Sequence, residues 1–375
     1  MAPTQPQPPP PQTNNTLDRV HAARISKTWP LLSHGGPLVT RNSRPKGMDN
    51  PGVLCYRRAV LQCLLHVPEL YRYLLSARRC RCREKGCVAC ALRRLAEVYW
   101  SVRETEEVQG VVEGVDGALR SFVGHKDFGQ YDFLRNGVQA DAMEFLEGLV
   151  NMIRAREVEV SGRGRSISRL FNVTTRRTWT CEDCGRTSAL RAKDLAIRVA
   201  LPKELEGQPF DSYLRACFQD EDLPDLRCES DACVVDHPEG RNRTRRTRIV
   251  HGPELLIIQL LRFDFDLKVM NLVKNPYRVP FRERLDLSEW TVDNTALKYQ
   301  LHGVVAHRGA STSSGHYLAA LQCQKGSDVA TANDMSIGIS SDREWLLEPR
   351  RGDGDEFDSY LLVYQKVGGV MRVVD

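Results

Sequence analysis

Asn50-Pro-Gly-Val-Leu-Cys55 runs directly into Tyr56-Arg-Arg-Ala-Val-Leu-Gln-Cys-Leu-Leu65, and this stretch decides how the first half of the chain folds. Apolar side chains recur at helical spacing from Cys55 until Pro68, where the missing backbone donor predicts that the helix stops or restarts. Cys55 therefore lies at a predicted helix N-terminus. That terminus lowers the pKa of a thiol and a neighbouring imidazolium would lower it further, so we expect a thiolate.

A histidine that could take the thiol proton lies far downstream, in Ser314-Gly-His316-Tyr317. Gly315 allows a close backbone approach, and the following Tyr-Leu-Ala-Ala-Leu run predicts a strand that holds the imidazole. A thiol and an imidazole are the minimum for a cysteine nucleophile. Taken alone, Cys55 is more typical of a buried apolar residue, and His316 of a structural histidine like the nearby His307.

Two further polar segments could complete such a site. Asn333-Asp334 follows His316 by 17 residues, enough for one strand, a turn and a return beside it. An amide or carboxylate there could fix the histidine tautomer, although an Asn-Asp pair is also common in turns. Asn50, five residues before Cys55, could direct its amide N–H groups at a developing oxyanion.

The periodicity predicts an α+β fold. A second helix is expected over 139–153, where apolar residues form one stripe. Beyond about residue 170 the pattern changes to strand-like runs at 171–180, 195–201, 254–263, 299–306, 316–323 and 359–365. Helices followed by a mostly antiparallel sheet leave room for a cleft where the two halves meet.

Composition places the chain among ordinary globular proteins, at 375 residues with 41% hydrophobic and 27% charged. A net charge of +5 falls short of the concentrated basic surface typical of nucleic-acid binders. The sequence contains no apolar run of about 18 residues and no signal-peptide pattern at its start, so we expect an intracellular protein, cytoplasmic or nuclear, that makes no membrane contact. Its twelve cysteines should then remain reduced.

Two groups of cysteines have metal-ligand spacing. Cys181-Glu-Asp-Cys184 and Cys228-Glu-Ser-Asp-Ala-Cys233 form two close pairs, as in two knuckles around one tetrahedral zinc. A second group, Cys80, Cys82, Cys87 and Cys90, lies in a basic segment. It is equally compatible with a second zinc site and with unliganded thiols, because its spacing is very compact.

Together these segments resemble the ubiquitin-specific protease family of papain-like cysteine peptidases. The resemblance is carried by Asn50–Gln62, by Gln139-Ala-Asp-Ala-Met-Glu-Phe-Leu146, by the strand Pro253–Phe263, by Tyr299–Gly309 with Gly315-His-Tyr317, and by Asp358-Ser-Tyr-Leu-Leu-Val-Tyr364. It implies a helical thumb, a β-sheet palm and β fingers with a structural zinc on Cys181, Cys184, Cys228 and Cys233. It also implies thiol-dependent hydrolysis at the C-terminal glycine of ubiquitin, with ubiquitin and ubiquitinated proteins as partners.

The resemblance implies a role for each site residue. Cys55 would be the nucleophile, His316 the general base and later acid, Asn333 the residue that orients it, and Asn50 the oxyanion donor, with Asp334 as a helper. The catalytic domain would span residues 46–366, with its fingers at about 171–265, and act as a monomer. Residues 1–45 would form a disordered proline-rich tail and residues 367–375 a C-terminal tail.

Departures from the family pattern keep two alternatives open. Leu54, Arg58 and Ala59 stand where other residues are usual, and Val329 replaces a common tryptophan. These changes are compatible with a catalytically impaired ubiquitin-binding protein of the same fold. A zinc-dependent nucleic-acid-binding protein is less favoured, because the basic run 241–248 has no interleaved aromatic residues and fits a solvated strand.

Overall fold

The first half of the chain forms helices. The computed structural model describes residues 44–75, 86–101, 105–125, 128–161, 166–224, 226, 228, 230–231, 233, 243–266, 270–311, 314–323, 328–348 and 357–367. Nearly all of the predicted terminal tails, 1–45 and 367–375, therefore lies outside the described residues. The helices are α1 (Cys55–Leu65), α2 (Pro68–Leu75), α3 (Val88–Tyr99), α4 (Thr105–His125), α5 (Phe133–Asn136), α6 (Ala142–Ser161), α7 (Ser166–Phe171), α8 (Phe210–Phe218) and α9 (Glu344–Leu347).

The sequence patterns account for most of the helix boundaries. The helix predicted from Cys55 ends at Leu65, and the next one begins at Pro68, where proline is tolerated because the first turn has no intrahelical partner for an N–H. The helix expected over 139–153 begins at Ala142, because Asp141 Oδ1 accepts from the backbone N–H of Met143 at 2.7 Å and acts as its cap. No helix in the described part of the chain is long and apolar enough to cross a membrane.

From Val173 onward, the described residues form three sheets. The strands are β1 (Val173–Cys181), β2 (Thr187–Asp194), β3 (Ala196–Ala200), β4 (Glu221–Leu223), β5 (Arg243–His251), β6 (Leu255–Leu261), β7 (Phe263–Asp266), β8 (Asn271–Lys274), β9 (Arg284–Asp286), β10 (Lys298–Ser311), β11 (Ser314–Gln322), β12 (Val329–Asn333), β13 (Ser336–Ser340) and β14 (Asp358–Lys366). The largest sheet has the order β13-β12-β11-β10-β14-β6-β3, with β9 beside β10. Its pairings are antiparallel except for β3 with β6. The predicted α+β class is confirmed.

The large sheet separates two layers of core. Along β6, Leu255 and Ile257 pack in the same cluster as the helices α1 to α7, whereas Leu256 and Ile258 pack with α8 on the opposite face. A strand buried on both faces reads as a continuous apolar run, as this one does. The α1 helix lies directly against β11, and this contact brings the cysteine and histidine segments together.

A separate four-stranded sheet, in the order β2-β1-β5-β4, forms the region expected to be the fingers. The basic run supplies β5, as the sequence interpretation expected. Arg245 and Arg246 pair with Glu221 and Asp220, respectively. The strand β2 has no counterpart among the predicted runs, because its residues are exposed on both faces and show no alternation of apolar and polar side chains.

Candidate active site

Cys55 is the first residue of α1 and is 2% exposed. The turn before it is held by Asn50, whose Oδ1 accepts a hydrogen bond from the backbone N–H of Leu54 at 2.8 Å. The backbone of Tyr317 on β11 lies close to the Cys55 thiol and lowers its pKa. The thiol therefore lies beside the strand that carries His316, the residue directly before Tyr317.

The pKa of the Cys55 thiol is raised above its ordinary value, mainly because burial disfavours the charged form. The N–H of Tyr317 and the first N–H groups of α1 lower the pKa, while the negative charge of Asp334 raises it. The shift runs against the expected resting thiolate, because burial outweighs the donors at the helix N-terminus. A protonated thiol requires a base before it can attack a carbonyl.

His316 lies near the start of β11, and its Nε2 is 2.6 Å from Oδ1 of Asn333. Asn333 ends β12, which runs antiparallel beside β11, so the strand, turn and return expected from the 17-residue spacing are present. With the Asn333 amide in this orientation, Nε2 of His316 carries the ring proton and donates a hydrogen bond to Oδ1 of Asn333. The other ring nitrogen, Nδ1, is then left with a lone pair that can accept a proton.

Two glycines allow β10 and β11 to approach closely beside His316. Gly309 and Gly315 have φ values of +133° and +129°, which side-chain-bearing residues rarely adopt. A Cβ on Gly315 would collide with the carbonyl oxygen of Arg308 and lie 2.6 Å from Nε2 of His307. Gln139, just before α6, also donates from Nε2 to the Gly315 carbonyl at 2.9 Å. The backbone before His316 is therefore fixed on two sides.

Asp334 connects the histidine to the segment before the cysteine. Its Oδ2 is 3.7 Å from His316 Nε2 and accepts a hydrogen bond from Asn50 Nδ2 at 3.0 Å. Asp334 is the first residue of the turn between β12 and β13 and has a φ of +51°, which Asp tolerates better than most residues. The amide of Asn50 has a second N–H, so this bond leaves one donor for another acceptor.

The structure thus brings together all five predicted site residues, Asn50, Cys55, His316, Asn333 and Asp334. The nearby His307 differs from His316: it is fully buried, and burial lowers the pKa of its imidazole to about 4. It stays neutral near pH 7 and packs against Tyr317, with 4.5 Å between ring centroids. This is the behaviour of a structural histidine.

The cysteine pairs meet at the far end of the four-stranded sheet. The sulfur atoms of Cys181, Cys184, Cys228 and Cys233 all lie within 4.8 Å of one another. Cys181 and Cys233 are 3.9 Å apart and Cys184 and Cys228 are 3.7 Å apart, close to the ~3.8 Å that a tetrahedral zinc with ~2.3 Å bonds would require. The backbone N–H of Arg186 lowers the pKa of Cys184 to about 7, which favours the thiolate that binds metals. These four residues fit a zinc ion.

The second cysteine group is only partly described. Cys87 immediately precedes α3, and Cys90 lies on that helix. Cys80 and Cys82 lie outside the described residues, so both interpretations of this group stay open.

Sequence reasoning missed several residues around the site. It did not identify a role for the backbone of Tyr317, which lowers the pKa of the Cys55 thiol, or for Gln139, which donates to the Gly315 carbonyl. It also missed Asp116 and Gln109 on α4, which bond Arg58 and Asp49 beneath the Asn50 segment. The Gln139-Ala-Asp141 motif was the available signal for Gln139, whereas the others depend on contacts between distant segments.

Comparison with known proteins agrees with the fold and the order of the segments. Residues 46–364 match the family model described as ubiquitin carboxyl-terminal hydrolase. Ubiquitin carboxyl-terminal hydrolase 10 of Saccharomyces cerevisiae is 23% identical over 94% of this chain and 50% of its own length. The probable ubiquitin carboxyl-terminal hydrolase 16 of Schizosaccharomyces pombe is 25% identical, over 85% of this chain and 66% of that protein. The chain thus spans about half to two thirds of the length of these two relatives, and only 26% of some others.

Solved structures with the same fold include the SAGA DUB module Ubp8/Sgf11/Sus1/Sgf73 bound to monoubiquitin, with a cysteine-to-alanine variant of Ubp8. The matched chain has a TM-score of 0.73 and 20% identity, and the match covers 94% of this chain and 75% of that one. The module bound to ubiquitin aldehyde gives the same TM-score over 93% of this chain and 76% of that chain. At this identity the likeness concerns the fold.

Proposed function

Since this chain belongs to the ubiquitin carboxyl-terminal hydrolase family, we propose that it is a thiol-dependent deubiquitinase that hydrolyses peptide or isopeptide bonds at the C-terminal glycine of ubiquitin. The observation that carries the proposal is one arrangement: His316 on β11 donates from Nε2 to Asn333 Oδ1, and β11 lies directly against the helix that begins at Cys55. It combines a nucleophile, a base and the group that orients the base.

The reaction follows from the roles of these groups. Nδ1 of His316 takes the proton of Cys55, and the sulfur attacks the glycine carbonyl to form a tetrahedral oxyanion. The free N–H of Asn50 is in the same segment as the thiol and would stabilise that charge. His316 then gives its proton to the leaving amine. Water activated by His316 hydrolyses the thioester, which releases ubiquitin and restores the thiol.

The remaining parts of the proposal concern the whole chain. Residues 46–366 form the catalytic domain, which acts as a monomer inside the cell on ubiquitinated proteins, and the fingers lie within residues 171–265. Cys181, Cys184, Cys228 and Cys233 hold a structural zinc. When bound, zinc would link the end of β1 to residues 228–233 and supply no group to the reaction.

The test uses ubiquitin with a C-terminal fluorogenic amide and ubiquitin with a C-terminal electrophile. Wild type should hydrolyse the amide and form a covalent adduct with the electrophile. Cys55→Ala should lose both activities while still binding ubiquitin. Cys63→Ala is a matched control, because Cys63 is equally buried in the same helix and should be dispensable for both activities. Turnover that persists in Cys55→Ala would reject the nucleophile.

A second candidate, a catalytically impaired ubiquitin-binding protein, is favoured by one observation. Leu54, directly before Cys55, and Val329, four residues before Asn333, stand where the family pattern usually has other residues. In that case wild type would bind ubiquitin but neither hydrolyse the amide nor react with the electrophile. The same experiment therefore separates the two candidates.

A further inference from the structure

Two arginines that follow the candidate nucleophile are buried rather than exposed to the cleft. Arg57 is 1% exposed and Arg58 is 2% exposed. Both bind one carboxylate, that of Asp116 on α4: Arg57 Nη1 is 3.1 Å from its Oδ1 and Arg58 Nη2 is 2.7 Å from its Oδ2. Burying two cations against one anion is unfavourable unless their other donors are satisfied.

Further donors of these two arginines lead to different parts of the molecule, whereas Arg58 Nη1 is buried with no hydrogen-bond partner among the described residues. Arg57 donates to the backbone carbonyls of Phe133 and Leu134, at 3.3 Å and 3.2 Å. Arg58 Nε instead donates to the backbone carbonyl of Asp49 at 2.6 Å. Arg58 therefore links α4 to the residue directly before Asn50, and Arg57 does not.

A second side chain of α4 binds the same segment. Gln109 Oε1 accepts from the backbone N–H of Asp49 at 2.7 Å, and its Nε2 donates to the carbonyl of Gly47 at 3.1 Å. The backbone N–H of Asp49 is thus bound by Gln109 of α4, and its carbonyl is bound by Arg58, which Asp116 of α4 holds in place. The next residue, Asn50, receives its position from this segment on one side and from Asp334 on the other.

We infer that Arg58, held by Asp116, is a positioning residue which, together with Gln109, fixes the Asn50 amide for the hydrolysis proposed above, and the inference rests on that proposed function. Arg58 stands where the family pattern usually has another residue, and that departure suggested a damaged cleft. Its burial and its bonds to Asp49 and Asp116 give it a supporting role instead. An oxyanion donor must be held within a fraction of an ångström to act, so its support affects turnover more than binding.

The test compares Arg58→Met with Arg57→Met. Each variant removes one buried guanidinium and leaves the other to neutralise Asp116. Arg57 makes more hydrogen bonds than Arg58, so Arg57→Met should be at least as destabilising as Arg58→Met. Only Arg58→Met releases the Asp49 carbonyl. We expect kcat for the ubiquitin amide to fall about tenfold to a hundredfold in Arg58→Met with little change in KM, and to stay near wild type in Arg57→Met.

A double-mutant cycle separates positioning from general destabilisation. If Arg58 acts through Asn50, Arg58→Met should reduce kcat far less in an Asn50→Ala background than in wild type. Equal losses of kcat in Arg57→Met and Arg58→Met, or full additivity with Asn50→Ala, would overturn the inference. Gln109→Ala removes the side-chain hydrogen bonds to Asp49 and Gly47 without leaving a buried charge unpaired. If an arginine variant does not fold, Gln109→Ala takes its place, and it should likewise reduce kcat far less in an Asn50→Ala background than in wild type.

Hydrogen exchange provides a readout that does not need turnover. Amides of residues 47–54 should exchange faster in Arg58→Met and Gln109→Ala than in wild type or Arg57→Met. Unchanged exchange in both variants would overturn the inference even if the enzyme is active. If wild type does not turn over the ubiquitin amide but residues 47–54 exchange faster in the variants, the proposed function is rejected. The structural role of Arg58 is then kept.

Discussion

At the scale of single residues, the Asp334 carboxylate has two opposing effects on the candidate site. It accepts from the amide of Asn50 and lies 3.7 Å from His316, so it holds the proposed oxyanion donor and would act as a counter-charge to an imidazolium formed in the proposed reaction. Its negative charge also raises the pKa of the Cys55 thiol. The same group therefore holds Asn50 beside the thiol and disfavours the charged form of Cys55.

We predict that Asp334→Asn changes these two properties in opposite directions. Asparagine keeps the shape and tolerates the positive φ at this position, so the fold should persist. Removal of a negative charge lowers the pKa of Cys55, so the pH midpoint of alkylation by iodoacetamide should move to lower pH. Turnover of the ubiquitin amide should fall about tenfold, because the imidazolium loses a nearby counter-charge.

Asp342→Asn serves as the control for this prediction. Asp342 is an exposed carboxylate before α9, and it is not among the groups that shift the pKa of Cys55. Both the alkylation midpoint and turnover should match wild type. A midpoint that moves to higher pH in Asp334→Asn would contradict the electrostatic role assigned to this carboxylate.

At the scale of elements, the hairpin of β10 and β11 sets the position of His316. The two strands are in register from Gly303 opposite Leu321 to Arg308 opposite His316, and the register shifts between Arg308 and Ser311. Gly309 and Gly315 meet at this irregularity, where a side chain on either would contact the other strand. Bulges of this kind commonly redirect a side chain next to an active site.

We predict that Gly315→Ala destabilises the protein by about 1–3 kcal/mol, because alanine must adopt a φ that disfavours a Cβ. The collision with the Arg308 carbonyl should also displace the start of β11, so turnover should fall more than the change in stability alone explains. Urea unfolding and amide hydrolysis measure the two effects. Gly110→Ala, on α4 with open space around it, is the control and should be stabilising by about 0.5–1 kcal/mol.

The elements also show how far the sequence determines local structure. For strands with apolar runs, the predicted ends lie within a few residues of the observed ends. The run 254–263 contains β6, Leu255–Leu261, and the run 359–365 lies inside β14, Asp358–Lys366. The strand β2 and the helix α4 were missed for physical reasons. Exposure removes the alternation that marks a strand in β2, and Gly110, Gly114 and Gly117 lower the helical propensity of α4.

At the scale of the whole molecule, the grouping of the five candidate site residues could be predicted because each stands in a short segment with its own pattern, while their catalytic roles stay a prediction. The geometry that joins them depends on contacts between segments hundreds of residues apart, such as Asn50 with Asp334. Burial of Cys55 also depends on the packing of α1 against β11, which is why the direction of its pKa shift could not be obtained from the helix N-terminus alone. Local sequence predicts donors and acceptors, whereas tertiary packing decides the desolvation.

The cysteine cluster gives a prediction for the stability of the molecule as a whole. The four-stranded sheet that carries it has many exposed residues, so a zinc that links β1 to residues 228–233 should contribute strongly to its order. We expect about one zinc per chain by elemental analysis. Cys181→Ser should lose that metal and lower the thermal unfolding midpoint by a few degrees, since each kcal/mol lost shifts the midpoint by roughly 2–4 °C in domains of about 150–250 residues and by less in a larger domain such as residues 46–366. Cys217→Ser, outside the cluster on α8, should keep the zinc. Wild-type protein that carries no zinc yet unfolds at the same temperature as Cys181→Ser would exclude a structural metal at this site.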